Sequence, residues 1–293
     1  MKLSIIIVNY NTRDILKDCI DSIARYHPCF EYEIIVVDNA STDGTAEMLR
    51  ASYGYVKLIS NSSNLGFATA NNIGIKASSG DFVLLLNSDT EVVDGSLEGM
   101  ITYMASHPRV GVLGPRLLDK NFRIIQISWA WHPTIIKETF QKMLSPQNIT
   151  NIKLINILVR FLNRKARHVD LVPGACMLIR REVLDAVGGL DENLFLYFEE
   201  SDLCKRSSAA GWETMYIPTV NVIHKLGQTM KKNGKMTLLH YRRSQLYYYR
   251  KHNSKLQLAL LKKYLYLKFI ILKTMKSKES EFANQVLQMS KEY

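Results

Sequence analysis

The chain has 293 residues, 47% of them hydrophobic and 22% charged, which excludes a disordered or fibrous chain and leaves room for one large α/β domain with an appendage, or for two domains. Its formal charge of +11 is unevenly placed: Lys and Arg number 15 from Lys225 to Lys278, no acid lies between Glu213 and Glu279, and the rest carries 23 basic against 27 acidic residues. A polyanionic partner, nucleic acid or anionic membrane, is therefore implied for the C-terminal segment alone. Cys19, Cys29, Cys176 and Cys204 form no C-x-x-C pair and have no His at zinc spacing, which fits a reduced, cytosolic setting without a disulfide framework. Met1-Lys2-Leu3-Ser4 runs straight into a strand, so no signal peptide is expected, and no apolar run approaches the length of a membrane span.

Four short runs rich in branched residues read as strands: Ser4–Val8, Ile34–Val37, Val56–Ile59 and Phe82–Leu86. The first three are followed by helical patterns over Arg13–Tyr26, Thr45–Ser52 and Phe67–Ala77. This alternation predicts βαβ units and a parallel sheet, and the continuous apolar character predicts strands buried on both faces. Gly95–His107 reads as a helix ended by Pro108, and 130–168 as a variable inserted segment without clear pattern. Ala175–Ile179 reads as a further strand, Arg181–Val187 and Ser201–Ala210 as helices, and the chain beyond Met236 as helical. Two units are expected, 1–229 and a basic helical extension 230–293.

Two of the strands deliver carboxylates to their ends. Ile34-Ile35-Val36-Val37 leads into Asp38-Asn39, and Leu84-Leu85-Leu86 into Asn87-Ser88-Asp89. Parallel α/β sheets bind ligands outside the carboxyl ends of their strands, which places both Asp residues at one crevice; the alternative is that both cap helices. After the first strand, Asn9-Tyr10-Asn11-Thr12 stands where a dinucleotide site needs glycines, and no P-loop is present. A base and ribose must then be held by side chains. Asp38 can accept from a pyrimidine N3–H or a ribose hydroxyl, and Asn39 can donate and accept. Ser41, Thr42 and Asp43 read as turn and cap residues. Asn64-Leu65-Gly66 opens a helix whose free N–H groups can face a phosphate, with Asn71 and Asn72 within reach of a sugar.

IVNYN, VVDNASTDGT, NLGFATANNIGI and LLLNSDTEV together resemble the successive motifs of family-2 glycosyltransferases of the GT-A fold, closest to the branch of bacterial rhamnosyltransferases. The resemblance runs from Leu3 to about Thr229. It implies an α/β nucleotide-binding sandwich with a mostly parallel central sheet, a nucleoside diphosphate sugar donor held around Asn9, Asn11, Asp38, Asn39, Asn64, Gly66, Asn71, Asn72, Asn87 and Ser88, and inversion at the anomeric carbon. It also implies a divalent metal, Mg2+ or Mn2+, with Asp89 as the carboxylate ligand of a D-x-D-type motif and His224, followed by Gly227, as second ligand; a lone His in an apolar run is otherwise structural. In Glu199-Glu200-Ser201-Asp202-Leu203, Glu200 stands where the family has the Asp that acts as general base, a departure that admits a weakened enzyme. Glu199 and Asp202 would position the acceptor or the helix, and Gly174 would let backbone approach the donor sugar.

The implied acceptor is a glycan or lipid-linked oligosaccharide at the cytoplasmic face of the membrane, and a homo-oligomer stays open. Two rival readings are a catalytically inactive relative that only binds nucleotide sugars and a nucleic-acid-binding protein that uses the basic tail. No nucleic acid is expected, since Tyr247-Tyr248-Tyr249 comes without an RNA- or DNA-binding signature. Within the tail, the apolar residues from Leu256 to Leu272 are interrupted by Lys262, Lys263 and Lys268, the pattern of a helix lying in an anionic membrane interface or packed on the sheet domain.

Overall fold

A computed structural model describes residues 1–26, 28–124, 126–225, 228–274 and 280–293; Gly227 lies outside them. The first half alternates as read from the sequence: β1 (Lys2–Asn9), α1 (Arg13–Arg25), β2 (Glu31–Asp38), α2 (Thr45–Ser52), β3 (Val56–Ser60), α3 (Phe67–Lys76), β4 (Phe82–Asn87), β5 (Thr90–Val92), α4 (Ser96–Ser106) and β6 (Val110–Leu118). Three helices, α5 (Ile135–Met143), α6 (Pro146–Asn151) and α7 (Lys153–Leu162), fill the segment whose pattern was unclear. β7 (Arg167–His168), β8 (Cys176–Arg180), α8 (Arg181–Val187), α9 (Glu199–Ala209) and β9 (Glu213–His224) complete the sheet domain. The chain then continues as α10 (Gln228–His252), α11 (Lys255–Thr274) and α12 (Ser280–Glu292).

The nine-stranded sheet has the order β3-β2-β1-β4-β8-β6-β9-β5, with β7 paired to β9. β1, β2, β3, β4, β6 and β9 run one way, and β8, β5 and β7 run against them. The sheet is thus mostly parallel. Alternate residues feed two cores: Ile5, Ile7, Leu84 and Leu86 pack with Leu16, Ile20 and Met100 on one face, while Ile6, Val83 and Leu85 pack with Ala68, Val159 and Leu203 on the other. This is the sandwich expected of strands buried on both sides. Gly74 permits the close fit of α3, since a Cβ there would lie 2.4 Å from Ile6 Cγ2.

β6 shows no strand signal in its sequence, VGVLGPRLL, for a packing reason. A Cβ at Gly111 would meet Val183 and Trp212, and one at Gly114 would meet Val172, so neighbouring side chains fill the places of its own. Pro115 sits where the β6–β9 register shifts, a position that needs no ladder donor.

The C-terminal helices are docked on the sheet domain. Leu246, Tyr248, Tyr249, Leu261, Leu265 and Phe269 share a core with Leu194 and Phe198. The inner face of α11 is therefore occupied by packing, although Leu256, Leu260, Leu267 and Ile271 stay exposed. Among the described residues no helix is long and apolar enough to cross a membrane.

Asp202 pins this junction. Fully buried, it meets Arg206 Nε at 2.6 Å, Lys251 Nζ at 2.7 Å and His252 Nε2 at 2.6 Å. These partners outweigh burial and hold its carboxyl well below the usual range. The folded-state pKa being depressed, the stabilisation is complete above the unfolded value of about 3.9 and is lost as pH falls toward the folded one. Asp202→Asn is expected to cost about 2 kcal/mol at pH about 7, because it removes the charged acceptor shared by Arg206, Lys251 and His252, of which Lys251 is exposed and keeps Asp191. The deficit in thermal midpoint against wild type should narrow below pH about 3.9; an equal deficit at both pH values would contradict it.

Candidate active site

The parallel register sets Asn9 opposite Asp38 and Val8 opposite Asn87, so three strands release polar residues at one level. Asn9 is buried, and its amide donates to Thr45 Oγ1 at 3.1 Å, Ser41 Oγ at 3.2 Å and Asp38 Oδ1 at 3.5 Å. Thr12 Oγ1 donates to Asn9 Oδ1 at 2.6 Å and lies 3.1 Å from Ser88 Oγ. Asn9 therefore ties the loops beyond β1, β2 and β4 together and offers nothing further to a ligand. Asn11, at φ 54°, accepts from Thr42 N–H at 2.8 Å and donates its own N–H to Ser41. Asp38 caps no helix: its contacts are Asn9 and the Ser41 N–H, at 3.5 and 3.3 Å, which leave lone pairs for a ligand.

The asparagines further along have structural partners. Asn39 donates to Asn64 Oδ1 and Gly66 O and accepts from Asn61, bracing the loop before α3. Asn71 donates to Phe67 O within its own helix. Asn72 departs from the expectation that it reaches a sugar. Its amide accepts from Leu190 N–H and donates to Leu190 O and Glu192, clamping the chain after α8. The opening N–H of α3 does not await a phosphate either, since Phe67 N–H donates to Phe195 O at 2.7 Å. Gly66, at φ +85°, admits that contact; a Cβ would lie 2.6 Å from both Phe195 O and its ring.

Asp89 leads into β5 rather than a helix, so it is no cap. Thr90 pairs with His224, and this places His224 Nε2 3.3 Å from Asp89 Oδ1. Gln126 Nε2 lies 3.3 Å from the other ring nitrogen of His224. Asn87 Oδ1 is buried without a hydrogen-bond partner. A carboxylate, an imidazole and an unpaired amide oxygen from neighbouring positions suit a divalent cation, although no group of three or more His, Cys, Asp or Glu among the described residues could hold one alone.

The remaining cluster opens α9. Tyr197 and Phe198 both have φ +69°, a conformation costly for aromatic residues, and the pair turns the chain so that Glu199 and Glu200 start the helix. Packing holds the turn: Tyr241 of α10 lies 5.5 Å from the Tyr197 ring and 5.3 Å from Phe198. Glu200 lines a cavity of about 430 Å³ with Gln126, Trp131, Glu138, Tyr197 and Tyr241. Enclosure pushes its carboxyl above the usual range. Glu199 is buried with Oε2 unpartnered, and burial and then the charge of Glu200 push its carboxyl well up. A Cβ added at Gly174 would meet Phe67 at 3.8 Å and the Glu200 Cβ at 3.9 Å, ordinary contact distances. Asp202 holds the helix rather than the acceptor. Gln126, Trp131, Glu138 and Tyr241 carry no motif signal. Glu138 could have been suspected as the sole acid between Trp129 and Val169.

Residues 4–188 match the family described as Glycosyl transferase family 2. The N-acetylglucosaminyl-diphospho-decaprenol L-rhamnosyltransferase of Mycobacterium tuberculosis is 31% identical over 202 residues, 65% of this chain and 66% of that protein. The chain thus spans just under two thirds of the length of this curated relative. Among solved structures, the mannosyltransferase PcManGT of Pyrobaculum calidifontis, in complex with GDP-Man and Mn2+, superposes with TM-score 0.59 at 17% identity, covering 85% of this chain and 63% of that one. S. aureus TarS 1-349, in complex with UDP-GlcNAc, gives TM-score 0.59 at 16% identity over 99% of this chain and 79% of that one. At such identity the superpositions show the fold, which is GT-A.

A carboxyl whose folded pKa is raised binds its proton more tightly in the native state, so its charge costs stability as pH rises above the unfolded value of about 4.3. Glu199→Gln keeps the shape and removes that charge. Its thermal midpoint should match wild type at pH about 4 and exceed it at pH about 8; a variant less stable at the higher pH would show that the carboxylate has an unrecognised partner.

Proposed function

The chain belongs to glycosyltransferase family 2, and from that premise we propose that it is an inverting, metal-dependent transferase acting on a nucleoside diphosphate sugar. Rhamnose is the favoured sugar, on the likeness to the mycobacterial rhamnosyltransferase, and the favoured acceptor is a hydroxyl of a polysaccharide or lipid-linked oligosaccharide. The observation that carries the reading is a continuous link: Glu200 and Gln126 line one cavity, Gln126 contacts His224, and His224 faces Asp89. A base and a diphosphate-binding end are thereby joined across one crevice.

In this reading Asp38 accepts from the base or ribose, and Asn9, Asn39 and Asn64 keep its surroundings in place. Asp89, His224 and Asn87 Oδ1 would hold Mg2+ or Mn2+, which when bound neutralises charge on the diphosphate. The acceptor hydroxyl enters the cavity and gives its proton to Glu200 as its oxygen attacks the anomeric carbon from the face opposite the diphosphate. The bond to the diphosphate oxygen breaks with its electron pair, so configuration inverts. A raised pKa suits Glu200 to this task, since a base that binds its proton firmly draws it more strongly from the hydroxyl. Glu in place of the family's Asp favours a second reading, a nucleotide-sugar-binding relative with weak turnover. We place the protein at the cytoplasmic face of an anionic membrane, where a lipid-linked acceptor resides.

Asp89→Ala should abolish transfer and metal-dependent binding of nucleoside diphosphates in isothermal titration while leaving the melt unchanged. Undiminished activity of wild type in excess EDTA would exclude the metal.

Glu200→Gln should lower turnover roughly 10²–10⁴-fold with donor affinity nearly unchanged, and Glu200→Asp should retain more activity. In wild type, kcat/KM should rise with pH through an acid limb above the ordinary carboxylate range. If Gln at 200 is active while Glu199→Gln is dead, the base is Glu199; a wild type that neither transfers nor hydrolyses donor is the binding relative.

A further inference from the structure

The helix α7 has two apolar faces. Ile155, Val159 and Leu162, at helical spacing, turn into the second core. Leu154, Ile157, Leu158 and Phe161, at the same spacing, are exposed, Leu154 at 76% and Phe161 at 64%. α5 likewise exposes Ile136, Phe140 and Met143. A soluble surface rarely gathers so many large apolar side chains within two short helices. Charge accompanies them: Lys142, Lys153, Arg160, Arg164 and Lys165 lie between Thr139 and Val169, a stretch without an acid.

We propose that the outer faces of α5 and α7 form a docking surface for an anionic lipid bilayer, seated in the headgroup region with the basic side chains reaching the phosphates. The chemistry fits: exposed apolar rows bordered by Lys and Arg are what an interfacial helix presents, each part reinforcing the other. A second copy of the chain fits poorly, because a two-fold contact would set the same basic stripe against itself without acids to meet it. The surface also adjoins the catalytic cavity. α5 lines that cavity with Glu138, Gln141 and Lys142, and exposed Phe140 meets Trp131 of its wall at 5.7 Å. A bilayer on this face would bring a lipid-borne acceptor to the mouth beside Glu200. The surface is distinct from the basic tail, whose helix α11 uses one apolar face for internal packing. The inference rests on the membrane part of the function proposed above.

The test is co-sedimentation of the full chain with vesicles of mixed phosphatidylcholine and phosphatidylglycerol, alongside donor hydrolysis in vesicle-free buffer. Leu154→Asp with Ile157→Asp should weaken partition about tenfold or more, since two exposed side chains lose their place in lipid, while leaving hydrolysis unchanged. Lys153→Gln with Arg160→Gln should weaken binding to anionic vesicles and reduce its salt sensitivity. Lys262→Gln, Lys263→Gln and Lys268→Gln together should have a smaller effect. The proposal is overturned if wild type ignores these vesicles at low salt, if only the α11 variant releases it, or if Leu154→Asp instead dissociates a dimer seen by light scattering. Partition retained in a protein without hydrolysis would count against the transferase alone.

Discussion

The crevice depends on one buried carboxamide. Asn9 ends the strand between β2 and β4; its side chain reaches the loops that follow β1 and β2 and, through Thr12, the loop that follows β4. Each such hydrogen bond contributes only about 1 kcal/mol net, yet leaving a buried donor unmade costs as much or more, so the set forms together or not at all. The apolar residues of these strands are enclosed on both faces, and polar chemistry can emerge only where they stop. An Asp in place of Asn9 would lose the donors and set a second carboxylate beside Asp38. Amide chemistry at this point leaves Asp38 without a second carboxylate at the end of β1.

A second constraint acts at α9, where three carboxylates within one turn meet different fates. Successive helical residues are about 100° apart, so Glu199, Glu200 and Asp202 face different surroundings. Asp202 has Arg206 one turn on and α10 beside it, and it stays ionised. Glu199 and Glu200 have Leu203 and Cys204 one turn on, which supply no counter-charge, and burial raises both. The helix start offsets only part of that cost. A pair held this way binds protons more firmly than an ordinary carboxylate, whereas one bound like Asp202 binds them less firmly.

How much of this was legible follows from where the signal lies. The strands β1, β2 and β4 and the helices between them are continuous apolar or periodic runs, and Asp38, Asn87 and Asp89 stand at their ends, so both elements and level could be read. β6 could not, because its glycines give way to side chains from Val172, Val183 and Trp212, contacts distant in sequence. The asparagines were legible as clustered but not as to partner. Asn72 reaches Leu190, 118 residues away, and nothing local announces that. The cavity wall was hidden for the same reason, since Gln126, Trp131, Glu138 and Tyr241 meet only once α5 and α10 have packed.

That packing changes what the C-terminal helices are for. Tyr197 and Phe198 hold a backbone conformation that aromatic residues rarely adopt, and Tyr241 and Tyr248 of α10 lie against them at 5.3–5.5 Å. Strain persists only where its surroundings over-determine it, so α10 is part of the device that aims Glu200. The basic segment also balances the acids of the sheet domain: Lys225 meets Asp18 and Glu91, and Lys251 meets Asp191 and Asp202. Lys255 and Lys263 of the same segment are exposed, as are Arg160 and Arg164 in and after α7. Fields of one sign extend beyond single contacts and raise the encounter rate of anionic ligands, with a strength that falls as salt rises. A nucleoside diphosphate and an anionic lipid surface are drawn by the same field. In the proposed reading, the uneven charge of the sequence would favour bringing donor and membrane to one enzyme, while recognition of the base or ribose is left to Asp38.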